Sequence, residues 1–188
     1  MIYAKWGCFL VVNILTNYLI NWPLAPIVVL FADDKGWLPW YLWYFQTPDN
    51  SLDGDDYAWK TKKPYPKTAN KYQRWVNRFS WLHRNKLYGF SAAVLGINYD
   101  RVNDVYVRDG NRWVNSVPSP GVNGLVKRYL YRDGKLIAWQ IYYIRQWKKY
   151  PTKCIRLNMG WKLASWEDHN FEYASFVFSP SPWMTFAP

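Results

Sequence analysis

The stretch LVKRYLYRDGKLIAWQIYYIR, residues 125–145, decides the fold. It has a run of alternating side chains on each side of Asp133-Gly134, and Asp-Gly between such runs is the strongest short-range hairpin signal. VYVRDGNRWV, residues 105–114, has the same form and predicts another hairpin, with Asp109-Gly110 at its turn. Strands joined by tight turns pair antiparallel, because a parallel pair needs a long crossover.

Two further strands are predicted after residue 145. In residues 154–163 successive side chains point to opposite faces. One face carries Ile155, Leu157, Met159, Trp161 and Leu163, and the other carries Cys154, Arg156, Asn158, Gly160 and Lys162. EYASFVF, residues 172–178, is predicted to be the last strand and to stop before Pro180 and Pro182. With VPSPGVNG (117–124) as a loop between hairpins, these segments predict an antiparallel β-meander of five to six strands.

The N-terminal third is apolar. Residues 7–32 contain no charged side chain and are long enough to span a bilayer. However, Pro23 and Pro26 are expected to break or kink the helix, and the part before them is only roughly 24 Å long. Asn13, Asn17 and Asn21 recur along one helical stripe. In a membrane this stripe would hydrogen-bond to another helix, whereas in a soluble fold it would face water.

An aromatic segment and a basic block follow. GWLPWYLWYF, residues 36–45, is typical of a membrane boundary, and residues 60–90 contain nine Lys or Arg and no acid. Residues 68–90 predict a basic amphipathic helix that begins near Thr68, with His83 packed or solvated near its end. The predicted docking residues are Trp37, Trp40, Tyr41, Trp43, Tyr44, Lys60, Lys62, Lys63, Lys67, Lys71, Arg74 and Arg78.

The acidic loop QTPDNSLDGDDYAW, residues 46–59, resembles half of an EF-hand. Asp49, Asp53, Asp55 and Asp56 are the candidate ligands for Ca²⁺ or Mg²⁺, but the twelfth position is Lys60, which cannot ligate. The alternative is a polar turn whose carboxylates pair with the basic helix. We therefore expect no cofactor, with this loop as the candidate metal site.

The composition limits the function classes. The chain has 188 residues and a net charge of +11, which favours an anionic partner, although a merely solvated basic face is the alternative. The two cysteines, Cys8 and Cys154, are expected to be free thiols in a reducing compartment. No hydrolase, P-loop, zinc-protease or dinucleotide motif is present, so an enzyme is not favoured. No motif for sequence-specific nucleic-acid recognition is present either.

Three blocks, residues 24–55, WLHRNKLYGF (81–90) and 155–183, resemble a functionally uncharacterised family of small tailed-bacteriophage proteins. The resemblance implies phage origin and offers no catalytic residues to transfer. The Asn-rich first helix departs from the pattern expected of the family.

The sequence thus predicts an α+β fold: an N-terminal apolar helical segment and a basic amphipathic helix, followed by the antiparallel β-meander. The predicted regions are a docking segment at 1–45, an acidic-to-basic loop at 46–67, and a helix-plus-sheet domain at 68–188. We expect a non-enzymatic phage accessory protein on the cytoplasmic face of the host inner membrane, docked on anionic lipid or a host membrane protein. The alternatives are a virion component, such as a tail, connector or ejection protein bound to other phage structural proteins, and a divalent-metal enzyme using residues 49–56.

Overall fold

The computed structural model describes residues 1–54, 69–111, 113–114 and 121–185. It confirms the α+β class, with helices followed by an antiparallel five-stranded sheet and a small two-stranded sheet. The chain forms two compact units, Cys8–Val94 and Met1–Gly7 with Leu95–Pro188. This division groups the basic helix with the N-terminal segment, whereas the sequence-based boundaries group it with the sheet.

A helical segment runs without interruption from Ile2 to Phe31. It comprises α1 (Ile2–Thr16), a π-helical turn (Asn17–Asn21), α2 (Trp22–Val28) and a 3₁₀ turn (Val29–Phe31). A 3₁₀ helix (Trp40–Phe45), α3 (Lys71–Asn85) and α4 (Tyr88–Ala93) follow.

The prolines do not end the helix, so a break is wrong, and the alternative of a kink stays a prediction. Pro23 lies where the π-helical turn passes into α2: the N–H of Trp22 still donates to the carbonyl of Asn17 five residues back, so the missing N–H of Pro23 falls where the hydrogen-bond pattern changes. Pro26 has no N–H to donate to the carbonyl of Trp22, and Nε2 of His83 lies 3.1 Å from that oxygen instead. The indole of Trp75 donates to the carbonyl of Pro26 at 2.7 Å. Side chains of α3 thus bind the carbonyls around the proline site.

Unit Cys8–Val94 packs α2 against α3. The side chain of Asn70 accepts from the backbone N–H of Gln73 at 2.9 Å, and the Gln73 side chain accepts from the N–H of Asn70 at 3.0 Å. This capping box fixes the start of α3, while Thr68 lies outside the described residues. The buried apolar side chains of this core are Ala25, Val28, Val29, Leu38, Phe45, Leu52, Trp81, Leu82 and Leu87.

The other unit carries the sheets. The strands of the described residues are β1 (Ile97–Asn98), β2 (Asp104–Gly110), β3 (Gly124–Arg132), β4 (Lys135–Gln146), β5 (Lys153–Trp161), β6 (Tyr173–Ala174) and β7 (Phe176–Thr185). The main sheet has the order β2-β3-β4-β5-β7, and β1 pairs with β6. A short 3₁₀ helix, Leu163–Glu167, follows β5. The predicted hairpin between β3 and β4 is confirmed, since Asp133 and Gly134 both have positive φ, at 50° and 71°.

The predicted hairpin at Asp109-Gly110 is wrong. Both residues remain in β2, where Asp109 pairs with Lys127 and Gly110 pairs with Val126. A Cβ at Gly110 would lie 2.3 Å from the carbonyl oxygen of Leu125, so this glycine permits close strand approach and not a turn.

The predicted stop before Pro180 is also wrong, because β7 continues through Pro180 and Pro182 to Thr185. β7 is an edge strand, and an edge tolerates residues that cannot donate to the ladder.

The two faces of the main sheet differ. One face has a buried cluster of Val114, Val126, Tyr142, Ile144 and Cys154. On the other, the ring of Trp6 lies 5.4 Å from that of Trp139 and 5.9 Å from that of Phe176. The first residues of the chain therefore pack on the sheet through aromatic contacts.

Candidate functional site

The helical segment exposes a broad apolar face. Within the described residues, Ile2–Phe31 is long and apolar enough to cross a membrane, a criterion that core helices and signal sequences also meet. No charged residue lies between Trp6 and Ala32. The exposed large side chains are Val11, Val12, Ile14, Leu15, Tyr18, Leu19, Ile20, Trp22, Leu24, Ile27, Leu30 and Phe31. We call these residues the apolar face.

The predicted polar stripe lies on the opposite side and contacts the protein itself. The amide of Asn13 donates to the hydroxyl of Ser91 at 2.9 Å. Asn21 is fully buried, and its amide donates to Asn17 Oδ1 at 3.0 Å and to the Leu82 carbonyl at 3.2 Å. The stripe thus fixes the helical segment to α3 and α4 of its own unit, and leaves the apolar face outward.

The predicted aromatic belt is exposed. Trp37, Trp40, Tyr41, Trp43 and Tyr44 are all exposed, with Trp40 at 83%. Two backbone contacts hold their loop. The N–H of Leu38 donates to the side chain of Gln46 at 2.8 Å, and the N–H of Leu52 donates to the carbonyl of Gly36 at 2.8 Å. The rings therefore project from a constrained loop.

The candidate docking cations are placed differently from one another. Lys71 is exposed and Arg74 half-buried, whereas Arg78 is only 7% exposed. Lys60, Lys62, Lys63 and Lys67 lie outside the described residues. Arg78 does not belong to the exposed basic surface.

The acidic loop helps to bury the guanidinium of Arg78. Asp53 accepts from Nε and Nη2 of Arg78 at 2.9 and 3.3 Å, and the same guanidinium donates to the carbonyl of Asp33 at 3.1 Å. Asp49 is exposed, and Asp55 and Asp56 lie outside the described residues. Across the described ranges, no three His, Cys, Asp or Glu side chains form a group that could hold a metal. The carboxylate of Asp53 is engaged in the alternative role, an ion pair with the basic helix.

A polar cluster on the sheet was not identified from the sequence. Arg108, Arg128, Gln140 and Asn158 lie on one sheet face, and the last three are buried. A signal was present, since Arg, Gln and Asn occupy alternate positions of strands that otherwise have large apolar side chains. Such residues are rarely buried without a specific reason.

The comparisons identify the family and no function. The structure defines the class of protein as α+β, with an antiparallel sheet and an exposed apolar helix. The chain matches a protein-family model described as "Family of unknown function (DUF7338)" over residues 1–188, and it belongs to this family. No curated protein and no solved structure matches it. Phage origin remains a prediction from the sequence resemblance.

Proposed function

We propose that this protein is a non-enzymatic accessory protein that docks on an anionic membrane surface through the apolar face and the aromatic belt. The observation that supports this proposal is the apolar face, a run of exposed aliphatic and aromatic side chains that no charged residue interrupts. Large exposed apolar patches mark sites of protein or membrane interaction. With phage origin as the resemblance implies, the membrane would be the cytoplasmic face of the host inner membrane.

The contacts of the helical segment favour attachment in the plane of the interface over spanning. Asn21 and Pro26 bind side-chain or backbone groups of α3, a helix that carries Lys71, Arg74 and Arg84. A helix that crosses a bilayer is surrounded by lipid or by other apolar segments, whereas an interfacial helix has one lipid-facing side. The apolar face supplies that side.

The aromatic belt and the basic residues are proposed to add to the membrane affinity of the apolar face. Tyr and Trp rings suit the head-group level, since one edge of each ring is apolar and the other can hydrogen-bond. Basic residues near the surface add about 1 kcal/mol each toward anionic lipid. We therefore expect lysines of the 60–67 segment, together with Lys71, to strengthen binding to phosphatidylglycerol.

Vesicle flotation tests the proposal. The wild type is expected to float with phosphatidylglycerol-rich vesicles, and Leu15→Glu/Leu19→Glu is expected to lose at least tenfold in apparent affinity, because two charges enter the middle of the apolar face. Val102→Glu is the matched control, since Val102 is 90% exposed but lies in the other unit. Equal flotation of the double variant and the wild type would contradict the proposal.

The virion alternative uses the same face differently. If the apolar face is buried between subunits, the wild type forms a defined oligomer without lipid and does not float, and Leu15→Glu/Leu19→Glu dissociates it. That outcome would replace membrane docking by assembly, with other phage structural proteins as the partners.

A further inference from the structure

We propose that the sheet face that carries the Val126 and Tyr142 cluster also holds, beside that cluster, a binding site for a small tetrahedral oxyanion such as phosphate, with Arg128 at its base. This site is independent of the apolar face and belongs to the other unit. The inference begins from charges that the strands place on one buried face.

The strand register places two arginines side by side. Arg108 of β2 pairs directly with Arg128 of β3, and like charges at opposed positions destabilise a sheet unless an anion lies between them. Glu167 supplies one such anion. Its carboxylate accepts from Arg108 Nη1 at 3.0 Å and from the Tyr106 hydroxyl at 2.6 Å.

Arg128 forms a long ion pair with this carboxylate but no hydrogen bond. Its guanidinium is 1% exposed, and its Nε lies 3.6 Å from Glu167 Oε1, beyond hydrogen-bond distance. Nη1 makes a long contact of 3.4 Å with Gln140 Oε1, while Nε and Nη2 donate to none of the described residues. A buried charged donor without a partner costs free energy, so an unfilled donor in a native fold indicates a bound water or ion.

The neighbouring polar groups are fixed around Arg128. The amide of Gln140 donates to Asn158 Oδ1 at 2.8 Å, and Gln140 Oε1 also accepts from the backbone N–H of Ala164 at 3.1 Å. Tyr142 lies next on β4, and burial raises its pKa to about 12, while the nearby Arg156 and Arg128 guanidiniums act to lower it. A neutral phenol and two guanidiniums thus surround one part of the sheet face.

Arg156 extends the cluster on β5. It points to the same face as Asn158, and its Nη2 donates to the Ser179 hydroxyl at 2.7 Å. Its buried Nε donates to no described residue. Arg128 and Arg156 therefore each keep a buried donor for which the described part of the chain supplies no acceptor.

The charge balance of the face favours a dianion. Its positive groups in the described residues are Arg108, Arg128, Arg132 and Arg156. Arg132 is neutralised by Asp104 at 2.7 Å, with Asp100 and Asp133 also close to it, so among the described residues the other three arginines share only the carboxylate of Glu167. The excess of two positive charges matches a phosphate, which carries about −1.5 to −2 at neutral pH, and guanidinium forks bind its oxygens well.

Access limits the ligand to a small one. The side chain of Arg128 is 1% exposed, while those of Arg108 and Glu167 are 27% and 39% exposed, so the cluster reaches the surface at Arg108 and Glu167. Because Arg128 is almost fully covered, a phosphate attached to a lipid or a nucleic acid would have to bring its attached groups beneath the surface, whereas a free oxyanion would not. The ligand class is a free oxyanion.

Thermal unfolding of the full chain in sodium phosphate, with sodium chloride at matched ionic strength as reference, tests the site. We expect phosphate in tenfold excess over its Kd to raise the wild-type Tm by about 3 °C or more. Arg128→Met is expected to lose this shift, and Arg145→Met, an exposed position on the opposite sheet face, is expected to keep it. If Arg128→Met does not fold, Arg156→Gln takes its place and is expected to reduce the shift.

Glu167→Gln separates an anion site from a structural ion pair. Removing the resident carboxylate lowers Tm in chloride under either reading. With an anion site, phosphate restores stability and shifts this variant more than the wild type, because the uncompensated positive charge rises. A wild type and a Glu167→Gln variant that both show no shift beyond the chloride reference would overturn the proposal, as would a shift that persists in Arg128→Met.

Discussion

At the scale of single residues, the role of a carboxylate depends on which group it contacts in the fold. Asp53 belongs to a loop with half of a calcium-binding pattern, yet it forms a bidentate pair with Arg78. The sequence offers pairing of the loop carboxylates with the basic helix as one alternative, but it does not indicate which carboxylate pairs with which arginine. That choice depends on how Gly36 and α3 bring the chain together, since a Cβ at Gly36 would lie 3.1 Å from Asp53 Oδ2.

Asp53→Asn should lower the free energy of unfolding by about 2 kcal/mol, because it removes the negative charge that accepts two hydrogen bonds from the buried guanidinium of Arg78. Urea unfolding followed by tryptophan fluorescence measures this change. Asp49→Asn is the control at an exposed position of the same loop, and we expect it to stay within about 0.5 kcal/mol of the wild type. Equal, small effects of both substitutions would show that the pair does not hold the loop.

Two identical dipeptides show where residue-level prediction ends. Asp133-Gly134 forms the predicted turn, whereas Asp109-Gly110 remains paired within β2. Asp-Gly reports that the backbone can adopt positive φ, and Gly110 does so, at 97°. Whether that freedom serves a turn or a close approach between strands depends on the partner strand, which local sequence does not reveal.

At the scale of elements, the prolines were expected to interrupt the helix and to end the last strand, and they do neither. Pro26 and Pro180 lie inside a helix and a strand that continue past them. In each case a tertiary feature compensates for the missing N–H: His83 beside the Trp22 carbonyl, and the edge position of β7. Long periodic segments were predictable because many residues agree, whereas their ends depend on single contacts.

Gly160→Ala should destabilise the sheet strongly. Gly160 has a φ of 109°, and a Cβ there would lie 2.0 Å from the carbonyl oxygen of Trp139 on β4, so the two strands would have to separate. We expect a loss of about 3 kcal/mol or more in unfolding free energy, or no folded protein.

Gly134→Ala provides the matched comparison. Gly134 also has positive φ, at 71°, but no atom lies within 4 Å of its added Cβ. We expect a loss of only about 1–2 kcal/mol, the cost of the left-handed conformation alone. Thermal and urea unfolding of both variants measure the two losses of stability. Equal losses would contradict the close approach of β4 and β5.

At the scale of the whole molecule, the sequence predicted the fold class and the antiparallel meander, since periodicity and turn chemistry agree over many residues. It located the apolar helix, the aromatic belt and the Asn stripe, but not which side of the helix each would occupy relative to α3. It missed the basic sheet cluster, because burial of Arg128 depends on strand register and on segments distant in sequence.

The central claim is that the apolar face enters the membrane interface. The most direct test labels single cysteines with an environment-sensitive fluorophore at Leu19→Cys and, as control, at Val102→Cys, in a chain with Cys8→Ser, because Cys8 is exposed while the native Cys154 is buried. On addition of phosphatidylglycerol vesicles, the label at position 19 should shift to the blue and be quenched by lipid-borne quenchers, and the label at position 102 should not change. A label at position 19 that keeps its aqueous spectrum at saturating lipid would contradict membrane docking by this face.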